Sequence, residues 1–179
     1  MVSLSHGKRQ GIATILGLMS GCVVHTLLIA FGVSILIKQN NLLFQILKIA
    51  GAIYLFYLAF QVFRSDSNIT FQTPDNKKSI LEYYKKGVWM NLLNPKVSLF
   101  FLAFFPGFLF SKQLSETFQF LILGGVFIIV SFIVFLSIAF MANYISSKLR
   151  QSQKIVMFFK WLQILVFTGI GIFILFSKK

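Results

Sequence analysis

Acidic residues are scarce in this chain: four among 179, namely Asp66, Asp75, Glu82 and Glu116. All four sit in or beside loops, outside the apolar runs. Cysteine occurs once, as Cys22 inside an apolar run, so no internal disulfide and no Cys-rich metal or redox centre can form. Cys22 reads as a small packing residue. Hydrolytic pairs, metal-ligand clusters and nucleophile triads are missing too, which leaves no metal site and argues against an enzyme.

What is present is apolar surface. Hydrophobic residues make up 57% of the chain, with 23 phenylalanines and a mean hydropathy of +0.83, against about 45–50% in a soluble domain. Five runs stand out: Gly11 to Ile37, Leu42 to Phe63, Gly87 to Phe110, Phe118 to Ile145 and Ile155 to Phe176. A helix needs about 20 apolar residues to cross the hydrocarbon layer, so each run is long enough. The first follows Lys8 and Arg9 as a signal peptide would, yet it far exceeds the roughly 7–15 residues of a signal core. It is expected to be a retained span.

The formal charge of +13 could suggest nucleic acid, but the basic residues flank the apolar runs instead of covering a soluble face. If all five runs cross, Lys8, Arg9, Arg64, Lys77, Lys78, Lys85, Lys86, Lys148, Arg150 and Lys154 fall on one side. Lys38, Lys112, Lys178 and Lys179 fall on the other. The positive-inside rule then puts the N-terminus inside and the C-terminus outside.

The expected organisation is a single membrane domain over 1–179, with helices of a first repeat at 11–63, a cytoplasmic linker at 64–86 and a second repeat at 87–179. The linker holds three of the four acids. Weak internal echoes accompany it: "ILG" at Ile15 recurs at Ile122, and "IAF" at Ile29 recurs at Ile138. They pair span one with four and span two with five, leaving span three alone. Inverted repeats are common in secondary transporters, and three plus three would need one more helix ahead of residue 1.

Span three carries the oddest stretch, "MNLLNPKVSLFFLAFFP" from Met90 to Pro106. Pro95 has no amide hydrogen and crowds the carbonyl four residues back, so it breaks the helix. The preceding residue is pushed out of helical geometry, which suits Asn94 as an N-cap with Pro95 first in the new helix. Two half-helices would meet near mid-membrane. The second would direct its dipole, free amide hydrogens and the Lys96 ammonium at one anion site. A lysine at the centre of a span costs about 2.5–3.5 kcal/mol, so its place there calls for a function. The plainer alternative, a kink with a snorkelling lysine, requires a reach of about 13 Å. Asn91, one turn earlier, either lines the same cavity or bonds a neighbouring helix.

In span one, Ala13, Gly17, Gly21 and His25 recur every four residues. Gly17 and Gly21 form a GxxxG, which permits close helix packing in lipid. His25 shares the stripe and reads either as a proton-handling group or as an interhelical hydrogen-bonder. In span two, Gly51 offers another packing point, and Tyr54 and Tyr57 offer hydroxyls for a polar ligand. No span contains an acid, so proton coupling through a buried carboxylate of this chain is excluded.

Three segments, "GKRQGIATILGLMSGCVVH", "LKIAGAIYLFYLAFQVFRS" and "GVWMNLLNPKVSLFFLAFFPGF", resemble the second to fourth transmembrane segments of the LysE/RhtB family of bacterial amino-acid exporters. The resemblance runs from about residue 5 to the C-terminus, spans four and five matching mainly in hydropathy. It implies an all-α polytopic protein: five transmembrane helices of a 3+3 inverted-repeat fold minus its first helix. It also implies secondary export of amino acids or their derivatives across the bacterial cytoplasmic membrane, with no cofactor and a coupling ion, expected to be the proton. Amino-acid substrate and membrane lipid are the implied partners, nucleic acid is not, and a homo-oligomer is admitted. Asn94, Pro95 and Lys96 would be the family's broken-helix motif, and Gly17, Gly21 and Gly51 its packing glycines; Asn91 and Tyr54 are expected beside the substrate from their own side chains, as partners for its ammonium. Family members usually begin with a helix bearing Pro-Gly-Pro, which is not in this sequence. A start codon chosen too far downstream, a truncated product and a second chain each fit. The alternative to export is a truncated, non-transporting membrane protein or an accessory subunit.

Overall fold

Helices begin where side chains can satisfy the first amides, and this sets the third span apart from its hydropathy. In the computed structural model, which describes residues 2, 6–34, 41–65, 79–141, 144 and 153–176, Ser79 opens a helix at Ile80. Its hydroxyl accepts from the Glu82 N–H, while the Glu82 carboxylate accepts from the Ser79 N–H at 2.6 Å, a reciprocal capping box. The helix therefore starts seven residues before the apolar run and takes in the last part of the expected 64–86 linker. Residues 66–78 of that linker lie outside the described residues, as do Lys38, Lys148, Arg150, Lys178 and Lys179 of the charge count.

The chain is all-α and polytopic. Its elements are α1 (Lys8–Leu28), which widens into a π-turn at Ile29–Val33, α2 (Asn41–Arg64), α3 (Ile80–Leu92), α4 (Pro95–Phe104), tightening to a 3₁₀ turn at Phe105–Phe108, α5 (Glu116–Phe140) and α6 (Gln153–Phe176). No strand occurs among the described residues. Four segments are long and apolar enough to cross a membrane: Lys8–Val33, Phe44–Arg64, Glu116–Phe140 and Gln153–Phe176. The pair Ile80–Leu92 and Pro95–Phe108, bent by 53° at the break, makes a fifth if its two halves are counted as one span.

Contacts sort the helices into two sets. α1 lies between α3 and α5. It runs antiparallel to α5, because Lys8 sits over the Phe140 ring while Ser34 meets the Thr117 hydroxyl. α2 runs antiparallel to α6, with Phe63 against Trp161 and Phe56 against Gly171. Two apolar cores follow. The larger gathers Met19, Cys22, Ile29, Phe101, Phe105 and Phe120; the smaller gathers Ala52, Leu55, Leu58 and Ile174. The broken span joins them, since α3 packs along α1 whereas α4 packs along α2.

The turn between the 3₁₀ segment and α5 depends on one side chain. Gln119 is 1% exposed; its Oε1 accepts from the N–H groups of Phe110 and Ser111, and its Nε2 donates to the carbonyls of Ser111 and Leu114. Gln119→Leu keeps the bulk and strands all four backbone groups. At about 1–3 kcal/mol for an unsatisfied buried group, the substitution is expected to lower the melting temperature clearly. An unchanged melting curve in detergent would contradict this role.

Candidate functional site

The break has a local cause. Leu93 ends α3, its N–H donating to the Trp89 carbonyl, and Asn94 turns extended at φ −85°, ψ 106°. The Asn94 Oδ1 accepts from the Lys96 N–H at 3.0 Å, and its carbonyl accepts from Val97 and Ser98 at 3.0 and 3.1 Å. Pro95 occupies the first helical position, where its missing donor costs nothing.

Those bonds change the electrostatics expected of the site. The first amides of α4 are taken up by Asn94, and Pro95 has none, so no row of free N–H groups awaits an anion. What α4 offers is the side chain of Lys96, which is exposed. It lines a cavity of about 560 Å³ with Tyr57, Phe60, Gln61, Val62, Arg64 and Ser65 of α2 and its end. These residues occupy the last third of α2, so the Lys96 side chain lies beside that end of α2. The expected depth assumed a straight rod starting at Gly87. The 53° bend instead carries α4 across to α2.

Within this cavity, the Arg64 guanidinium lies over the Phe60 ring, 5.7 Å from its centroid. Gln61 Nε2 donates to the Tyr57 hydroxyl oxygen at 2.9 Å, which leaves the Tyr57 proton for another acceptor. Lys160 of α6 donates to the Ser65 carbonyl at 2.7 Å and so closes the end of α2. Neither Arg64 nor Lys96 has a carboxylate partner among the described residues.

The other expected site residues lie elsewhere. Asn91 is 5% exposed in the seam between α1 and α3, its Nδ2 donating to the Cys22 sulfur at 3.4 Å while its Oδ1 has no hydrogen-bond partner. His25, 7% exposed, meets the Asn91 carbonyl through Nε2 at 3.4 Å and leans on the Phe101 ring. Asn91 and His25 thus form one buried polar knot separate from the Lys96 cavity. Tyr54 packs against the smaller core and its ring faces Tyr57, but Tyr57 lines the cavity and Tyr54 does not.

The glycines lie where helices touch. A Cβ on Gly17 would run into the Tyr84 carbonyl and stand 2.9 Å from the Val88 nitrogen, and one on Gly21 would sit 2.6 Å from Asn91 Cβ. Gly87, which the stripe on α1 did not point to, faces Gly17 across the seam. Gly51 is buried in α2. Among the described residues no group of three or more His, Cys, Asp or Glu could hold a metal ion.

The sequence that folds into this bundle is matched in known proteins. The family model for LysE type translocators covers residues 1–178. The chain belongs to the LysE type translocator family. A homoserine/homoserine lactone efflux protein of Salmonella typhimurium is 35% identical over 148 residues, 83% of this chain and 71% of that protein. An uncharacterised membrane protein of Vibrio cholerae is 36% identical over 121 residues, 68% of this chain and 58% of that protein. An uncharacterised membrane protein of Bacillus subtilis, YrhP, is 27% identical over 95% of this chain and 84% of its own length. No solved structure matches.

This LysE type translocator is thus a multi-pass membrane transporter and not an enzyme. Two of its cavity residues carried no site signal in the sequence. Arg64 counted only as a flanking charge, and Gln61 was not singled out. The proline and the break were readable; the helix that would receive the bent half was not. Local capping itself makes a modest prediction: Asn94→Ala removes the acceptor for the Lys96 N–H and should cost about 1 kcal/mol of thermal stability. Asn94→Asp, which keeps that acceptor, should not.

Proposed function

We propose that this chain exports amino acids or their derivatives from the bacterial cytoplasm by secondary transport. The observation that carries the reading is the bent span, which sets the Lys96 ammonium beside an open cavity between α2 and α4. A helix is interrupted in a membrane only where protein or a watery cavity surrounds the loosened backbone, and broken helices commonly hold substrate in secondary transporters. Relatives named as homoserine/homoserine lactone efflux proteins support amino-acid derivatives as cargo.

In this reading the protein sits in the inner membrane with its N-terminus inside, so α2 ends and the cavity opens on the cytoplasmic side. The substrate carboxylate meets Lys96, with Asn94 and Pro95 holding the half-helix in place. Asn91 and His25 lie apart from it in the α1–α3 seam, and in this reading His25 is the proton-handling group. The test is efflux of a panel of labelled amino acids from cells that make the chain and lack other exporters. Faster loss of at least one amino acid, abolished by collapsing the proton gradient, is the expected result. Efflux equal to that of cells without the chain for every amino acid would overturn the reading.

A further inference from the structure

Pro95 withholds one particular hydrogen bond from the helix before it. In an unbroken helix the Asn91 carbonyl would accept from the amide four residues on, and that residue is the proline, which has no N–H. The Asn94 N–H reaches back to the same oxygen at 3.1 Å in a tighter turn. A carbonyl oxygen has a second lone pair, and here it meets α1, where His25 Nε2 lies 3.4 Å away. A carbonyl only accepts, so Nε2 carries the hydrogen.

The place of this contact makes its strength depend on charge. Asn91 is in the last turn of α3, the end where backbone carbonyls gather negative partial charge and hold a cation more tightly than a neutral donor. At 3.4 Å the bond is longer than the usual N–H···O distance of about 2.9–3.0 Å, whereas charge-assisted bonds draw in to about 2.7–2.9 Å. Asn91 Oδ1, buried and without a hydrogen-bond partner, adds a second negative dipole end to the same knot. The other titratable groups on the packed helices are engaged or placed elsewhere. The Cys22 thiol meets Asn91 Nδ2, the Tyr84 hydroxyl meets Ser20, and Lys85 and Lys86 are exposed on α3. Lys96 lines the cavity beside α2, and Glu116 opens α5 well before the Gly124 at which that helix meets Thr26.

We infer that His25 stands in for the amide that Pro95 lacks, and that a proton on His25 draws α1 onto the break. His25 is thus a positioning residue, touching the backbone of the break and the Phe101 ring of α4. α3 packs along α1 while α4 packs along α2, so a pull at Asn91 acts at the joint between the two and moves the half-helix that carries Lys96. This rests on the export reading given above and says how the driving ion reaches the substrate site.

The full chain in proteoliposomes, loaded with labelled homoserine and given or denied a pH gradient, tests it. For wild type the gradient should speed transport about tenfold. His25→Gln keeps an N–H for the Asn91 carbonyl but cannot take up a proton, so its melting temperature in detergent should stay near wild type while the effect of the gradient disappears. His25→Leu removes the donor and should lower the melting temperature. In a Pro95→Ala background, which restores an amide at position 95, the same change should lower it less. If wild type moves neither homoserine nor any member of a wider amino-acid panel, the export reading fails and this inference with it. If wild type ignores the gradient, if His25→Gln still responds to it or melts as low as His25→Leu, or if His25→Leu costs the same in both backgrounds, the inference fails and export stands.

Discussion

Lys96→Ala is expected to abolish export while leaving the chain folded and inserted. The loss of a charged hydrogen-bond donor to a substrate carboxylate is worth about 1.5–3 kcal/mol, a fall of about 10- to 100-fold in transport rate at low substrate. Stability should be spared because the Lys96 side chain is exposed and its backbone N–H, the part that Asn94 caps, is kept. Lys96→Arg preserves the charge and should retain measurable export. Efflux rates divided by the amount of protein in the membrane provide the reading, and undiminished export by the alanine variant would remove Lys96 from the site.

Gly17→Leu should have the largest structural effect. Its new side chain would be directed at the backbone of α3, where the Tyr84 carbonyl, the Val88 nitrogen and the Gly87 Cα leave no room. Backbone cannot step aside as a flexible side chain can, so α1 and α3 must separate, and the expected cost is about 3 kcal/mol or more, the upper end of overpacking. In lipid the seam depends on close backbone approach, and the Asn91–Cys22 and His25–Asn91 contacts across it would be pulled apart with it. Gly125→Leu is the control, because nothing lies within 4 Å of a Cβ placed there. Monodisperse yield and melting temperature in detergent should collapse for the first and stay near wild type for the second. Equal behaviour of the two would show that the α1–α3 seam is not tightly packed.

How much could be read without coordinates follows from how local each cause is. The break at Asn94 and Pro95 was legible because proline's sterics act within four residues. The close packing of α1 was legible from its glycine stripe, but Gly87 on the facing helix was not, since nothing in one helix names its partner. The start of α3 was written in Ser79 and Glu82, a capping-box spacing that hydropathy alone passes over. Which residues Lys96 would meet was not legible, because the span was taken as a straight rod. Arg64 was missed for the same reason: only the bend brings α4 beside the last turns of α2. Four of the five expected spans were legible as long apolar helices whatever their tilt, and the bent pair makes the fifth if it is counted as one span.

The central claim is that the bent span opens an aqueous, cationic cavity at Lys96, and site-directed labelling tests it most directly. In a Cys22→Ala background that retains export, Lys96→Cys can be treated with a membrane-impermeant maleimide in inside-out vesicles. Rapid labelling without detergent is the expected result. Labelling that occurs only after detergent is added would place position 96 in lipid or in packed protein and contradict the claim.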